Sequence, residues 1–161
     1  MTLVVPFDGS QLAKAALVRA QQFDEILNEG VIAVTVIPQL NTQYARKHGW
    51  IEQNEPFDIE QIVGSLRAAA EEVAPDATFE HILVDADAQH GTIAKKLRRF
   101  AHDAETTILF IGSENAGRLV KSMSVGSNIA SDRNYDTMII SSRKFPKIPA
   151  LEKVAPAPDL D

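Results

Sequence analysis

The sequence predicts an α/β fold: a doubly wound domain with five parallel strands and helices on both faces. Three observations carry that expectation. Five short apolar runs, rich in Val and Ile, recur along the chain, as strands buried in a parallel sheet do. Between them lie segments whose apolar residues repeat at three- and four-residue spacing, so helix alternates with strand. The first and fourth runs both end in turns containing Gly-Ser, where such a sheet hands its strands over to helices.

Leu3-Val-Val-Pro-Phe7 is the first strand, and Pro6, lacking an N–H, belongs near its end. Asp8-Gly9-Ser10 follows. Ser10 suits a helix N-cap, and Leu12, Ala16, Ala20, Phe23 and Leu27 form the helix's apolar stripe. Asn28-Glu29-Gly30 ends it, with Gly30 as the natural stop. Val31 to Ile37 is continuously apolar, and Pro38 ends it. Residues 39–55 are polar and aperiodic and are predicted to be a loop. It carries Arg46, Lys47, His48 and Trp50, the chain's only tryptophan. A loop of this length is either a mobile connection or a lid over a ligand.

Pro56 suits the first turn of the next helix, with Ile59, Ile62, Val63, Leu66, Ala70 and Val73 on its buried face. Pro75-Asp76 breaks it. Thr78 to Val84 is the third strand and 85–91 a loop. Ile93, Leu97, Phe100, Ala101 and Ala104 mark another helix, with Lys95, Lys96, Arg98 and Arg99 on its solvated face. Thr106 to Ile111 is the fourth strand. A short helix is expected from Ser127 to Arg133 and a fifth strand from Thr137 to Ser142. Residues 144–161 hold four prolines and no period, and read as a tail behind a domain spanning 1–143.

With 161 residues, 45% hydrophobic and 24% charged, the chain has the size and composition of one globular domain. The absence of cysteine excludes disulfides and thiolate metal sites. No run is long and apolar enough for a bilayer and no signal peptide precedes Leu3, so a cytoplasmic location is expected. A net charge of −6 argues against general nucleic-acid binding.

Three of the eight glycines, Gly112, Gly117 and Gly126, fall in one stretch after the fourth strand. Glycine lets backbone N–H groups approach a ligand, and a following helix N-terminus favours anions. The stretch therefore suits a phosphate chain, or else is a loop that needs positive φ at its glycines. Asp8 sits where it can meet a ligand, hold magnesium through water or cap its own turn. Ser10 and Ser127 are open to both capping and ligand roles. His48, His81, His90 and His102 lack ligand spacing, so no metal site is expected. No nucleophile elbow, Walker lysine or activated base is recognisable, and catalysis beyond slow nucleotide hydrolysis is not expected.

Val5-Pro6-Phe7-Asp8-Gly9-Ser10 together with Ile111-Gly112-Ser113 and the later Gly126-Ser127 resembles the universal stress protein family, over residues 3–143. The resemblance implies strand order 3-2-1-4-5, a homodimer pairing through the fifth strand, and in many members ATP, with magnesium on its phosphates. It places Asp8 at the adenine end, Val36 against the base and Ile111 on the pocket wall. Ser127 and Asn128 would offer amides and side chains to phosphate. Pro6, Ser10, Gly112, Ser113, Asn115 and Gly126 complete the implied set. Asn115 stands where the family's phosphate loop has its second glycine, and ten residues rather than nine separate it from Gly126. Arg118 and Lys121 add positive charge there, and Glu114 opposes it.

Two other readings share the architecture. One is a non-binding dimeric interaction protein. Its fifth strand ends in Ser141-Ser142 where the family's usual pairing strand is apolar. The other is a signalling receiver domain, with Asp8, Asp85, Ser113 and Lys144 near strand ends.

Overall fold

The computed structural model describes residues 1–114 and 135–143. Its centre is one parallel sheet of β1 (Thr2–Pro6), β2 (Val31–Pro38), β3 (Thr78–Val84), β4 (Thr106–Gly112) and β5 (Asp136–Ile140), in the order β3-β2-β1-β4-β5. Side chains alternate across the sheet, as strand geometry requires. Leu3, Val5, Ala33, Ile37 and Phe110 face one core, shared with α1 (Gln11–Leu27) and α3 (Ile59–Val73). Val4, Val34, Leu109 and Ile111 face the other, against Ala94 and Ala101 of α4 (His90–Asp103). Both faces of the central strands are thus buried, which is why they read as unbroken apolar runs.

Ser10 caps α1: its side-chain oxygen accepts the Ala13 N–H at 3.2 Å. The helix ends earlier than Gly30. Asn28 takes the left-handed conformation at φ 54°, and Asp24 Oδ1 accepts the Glu29 and Gly30 N–H groups at 2.9 and 2.7 Å. Asparagine tolerates that conformation better than most residues. Pro56 likewise lies outside its helix. Asp58 is the N-cap of α3, accepting from Glu60 N and Gln61 N. Strand β5 stops at Ile140, two residues before its expected end.

The larger correction concerns residues 39–55. They contain a helix, α2 (Thr42–Lys47), capped by Asn41, whose Oδ1 accepts the Tyr44 N–H at 2.9 Å. Only Ala45 of this helix is buried, so no stripe betrays it. Beyond it Trp50 and Ile51 join the core at 8% and 5% exposure. The segment packs against the core as a wall. The expected helix at Ser127–Arg133 and the tail from 144 lie outside the described residues.

Candidate functional site

Strand order reverses between β1 and β4, which are neighbours. From β1 the chain crosses to β2 under α1, whereas it enters β4 from α4 on the opposite face. Two connections that leave in opposite directions open a crevice beyond the strands' carboxyl ends. The structure has a cavity there of about 90 Å³.

Each element contributes one side. The tip of β1 brings Pro6, Phe7 and Asp8; β2 brings Val34, Thr35 and Val36; β4 brings Ile111. Ile93, Ala94 and Leu97 of α4 close the second side, with the exposed His90 at the start of that helix. Tyr44, His48 and Trp50 form the third. The floor is therefore aliphatic and one wall aromatic, which suits a flat heterocycle.

Three hydrogen bonds to the backbone order the polar groups at the cavity. The Thr35 hydroxyl donates to the Phe7 carbonyl, tying β2 to the strand tip. Asp8 Oδ1 accepts the Ser10 N–H at 2.9 Å, so the carboxylate caps its own turn while lining the cavity. The Trp50 indole N–H donates to the Asp8 carbonyl at 2.8 Å. That bond joins residues 42 apart in sequence and clamps the aromatic wall to the end of β1. Tyr44 and His48 stack with centroids 4.1 Å apart and 22° between planes, and Trp50 lies 5.2 Å from His48. Further along, Glu55 accepts the Glu52 N–H and the Gln61 side-chain amide, each at 2.9 Å. These two bonds hold the Glu55 carboxyl below the usual carboxylate range and fasten the wall to α3.

Of the residues singled out from sequence, the structure brings Pro6, Asp8, Val36 and Ile111 together around the cavity. Ser10 is close by in sequence, but its side chain caps α1. Gly112 is buried against that helix, and Ser113 is exposed. Gly112 does not have positive φ; an added Cβ would lie 2.9 Å from Leu12 Cβ. Its glycine answers crowding, and the positive-φ alternative does not hold for it. Asn115, Gly117, Arg118, Lys121, Gly126, Ser127 and Asn128 lie outside the described residues.

Sequence reasoning missed Tyr44 and the α4 residues as cavity lining, gave His90 no place there, and allowed His48 and Trp50 only a part in a loop or lid. Their one signal was negative: a polar segment carrying the chain's only tryptophan. The strand order also removes the receiver-like alternative. That fold sets β3 beside β1; here β2 intervenes and Asp85 lies outside the cavity.

A profile of the Universal stress protein family matches residues 1–141. Among solved structures, the chain is similar to a universal stress protein crystallised in complex with cAMP. They share 25% identity over 88% of this chain and 97% of that one, with a TM-score of 0.52. A universal stress protein from Archaeoglobus fulgidus in complex with dAMP is 14% identical over 87% and 95%, with a TM-score of 0.50. A member of the family from Burkholderia pseudomallei is 18% identical over 88% and 96%, also at 0.50. The last two show a shared fold. Among curated proteins none matches significantly.

Proposed function

The chain belongs to the universal stress protein family, and on that premise we propose that it is a regulatory protein that binds an adenine nucleotide. The single observation behind this reading is the cavity at the reversal of strand order, with an aliphatic floor, an aromatic wall and one carboxylate at its rim. Such a site takes a purine by shape and dispersion and orients it by a few polar groups. The similar protein crystallised with cAMP supports the same ligand class.

The ligand we assign is ATP carrying magnesium on its phosphates. Pro6, Val36 and Ile111 would hold the base, with Asp8 at its edge. Asn115, Gly126, Ser127 and Asn128 are the assigned phosphate-facing residues, on the sequence pattern alone, and Ser10, Gly112 and Ser113 support the two turns. The triphosphate supplies charge for the protein to recognise, and no group placed here acts as a base or nucleophile. The reading includes a homodimer through β5, a cytoplasmic location, and a domain of residues 1–143 followed by a tail. No helix among the described residues is long and apolar enough to cross a membrane.

Calorimetric titration with ATP and magnesium, AMP and GMP tests this. Both adenine nucleotides are expected to bind, and Val36→Trp, which fills the floor, to abolish binding. Gly126→Trp is expected to weaken ATP far more than adenosine. Unchanged affinity in Val36→Trp would refute the assigned site. No binding of any nucleotide would return the chain to the dimeric interaction reading.

A further inference from the structure

His48 is the cap residue at the C-terminal end of α2. Its backbone N–H donates to the Tyr44 carbonyl at 3.1 Å, and its ring Nδ1 lies 2.9 Å from the same oxygen. A carbonyl only accepts, so Nδ1 carries the hydrogen. The ring is stacked on Tyr44 and flanked by Trp50, which is itself fixed to the Asp8 carbonyl. One tautomer and one ring orientation are thereby set. In that neutral tautomer Nε2 is a hydrogen-bond acceptor only, and it has no hydrogen-bond partner among the described residues.

We propose that His48 selects which purine the cavity accepts. Neutral His48 presents a lone pair to the base. An exocyclic amine, as on adenine, donates to it; the carbonyl of a 6-oxopurine meets it as a second acceptor and leaves both groups unpaired. Protonation places a hydrogen on Nε2 and reverses the preference. The inference rests on reading the cavity as a purine site, and adds to it the residue that discriminates and a dependence on pH.

Other charged and titratable groups share the cavity or the helix with His48. Asp8 comes from the turn after β1, His90 from the start of α4, and Tyr44 from α2, all lining the cavity. Arg46 and Lys47 precede His48 on its own helix. His90 is a second imidazole on the cavity, so it needs its own control.

Adenosine and inosine are the ligands for the test, because they share a sugar, carry no phosphate and differ at the 6-position and N1. Affinities are measured between pH 8 and pH 5 on the full chain. At pH 8 adenosine is expected to bind about tenfold more tightly than inosine, the cost of leaving an acceptor unpaired against the bound base. At the acid end the ratio is expected to fall to one or below, because a hydrogen on Nε2 pairs with the 6-carbonyl and not with the amine. His48→Phe, which keeps a ring to stack on Tyr44, should make the ratio independent of pH; His90→Gln should leave its pH dependence intact. A ratio in the wild-type protein that is flat with pH, or a dependence that disappears with His90 and survives in His48→Phe, would overturn the role of His48 and leave the purine site standing. Failure of both nucleosides to bind would overturn the purine site and this inference with it.

Discussion

The neighbouring strands β1 and β4 both run into a Gly-Ser pair, and the two pairs obey different physics. Gly9 has φ +81°, and an added Cβ would sit 3.4 Å from Leu66 Cδ2, an ordinary contact. Its demand is conformational. Gly112 has no positive φ, but an added Cβ would lie 2.9 Å from Leu12 Cβ and 3.4 Å from the Leu12 carbonyl carbon. Its demand is spatial. The serines divide too, with Ser10 capping α1 and Ser113 exposed. One dipeptide therefore starts a helix, while the other lets that helix approach the sheet closely. Together they set the spacing of the two strand tips beside the cavity.

The largest effect should come from the crowded tip. Gly112→Ala is expected to cost about 2–3 kcal/mol by chemical denaturation, because neither the Leu12 Cβ nor its backbone can yield cheaply. Gly9→Ala should cost about 1–2 kcal/mol, the strain of a left-handed residue with a side chain. An asparagine exchange sharpens the contrast. Gly9→Asn should be milder than Gly9→Ala, since asparagine accepts positive φ, whereas Gly112→Asn should be no milder than Gly112→Ala. If asparagine ranks above alanine at both sites, the distinction between the tips collapses. Ser10→Ala should cost about 1 kcal/mol through the lost cap, while Ser113→Ala should be close to silent.

A small effect is expected in the wall that leans on the first tip. Glu55 is bound as a carboxylate by the Glu52 N–H and by Gln61, and its folded-state pKa is lowered. A depressed carboxyl adds stability above the unfolded titration range, and that contribution fades as pH falls through the folded value. In an NMR titration Glu55 should ionise below an ordinary glutamate, and Gln61→Ala should raise its midpoint. No movement in Gln61→Ala would mean that this contact does not hold the charge.

The same contrast explains how far the sequence could be read. Strands and long helices are local patterns. The Val31–Pro38 run and the α3 stripe announce themselves because burial repeats at the period of the backbone. The family resemblance added the strand order and four residues that gather at the cavity. The aromatic wall was not legible. Helix α2 is six residues long with one buried side chain, and Trp50 is hydrogen-bonded to a residue 42 positions earlier. Nor could spacing distinguish Gly9 from Gly112, since the positive φ of one and the approach of Leu12 to the other arise only in the folded chain.

Trp50 offers the most direct test, being the chain's only tryptophan, 8% exposed and part of the cavity wall. Its emission is followed while adenosine is added, alongside calorimetry on the same sample. A purine seated against the aromatic wall predicts a saturating change in emission whose midpoint matches the calorimetric Kd. Calorimetric binding that leaves Trp50 emission untouched, or no binding at all, would contradict it.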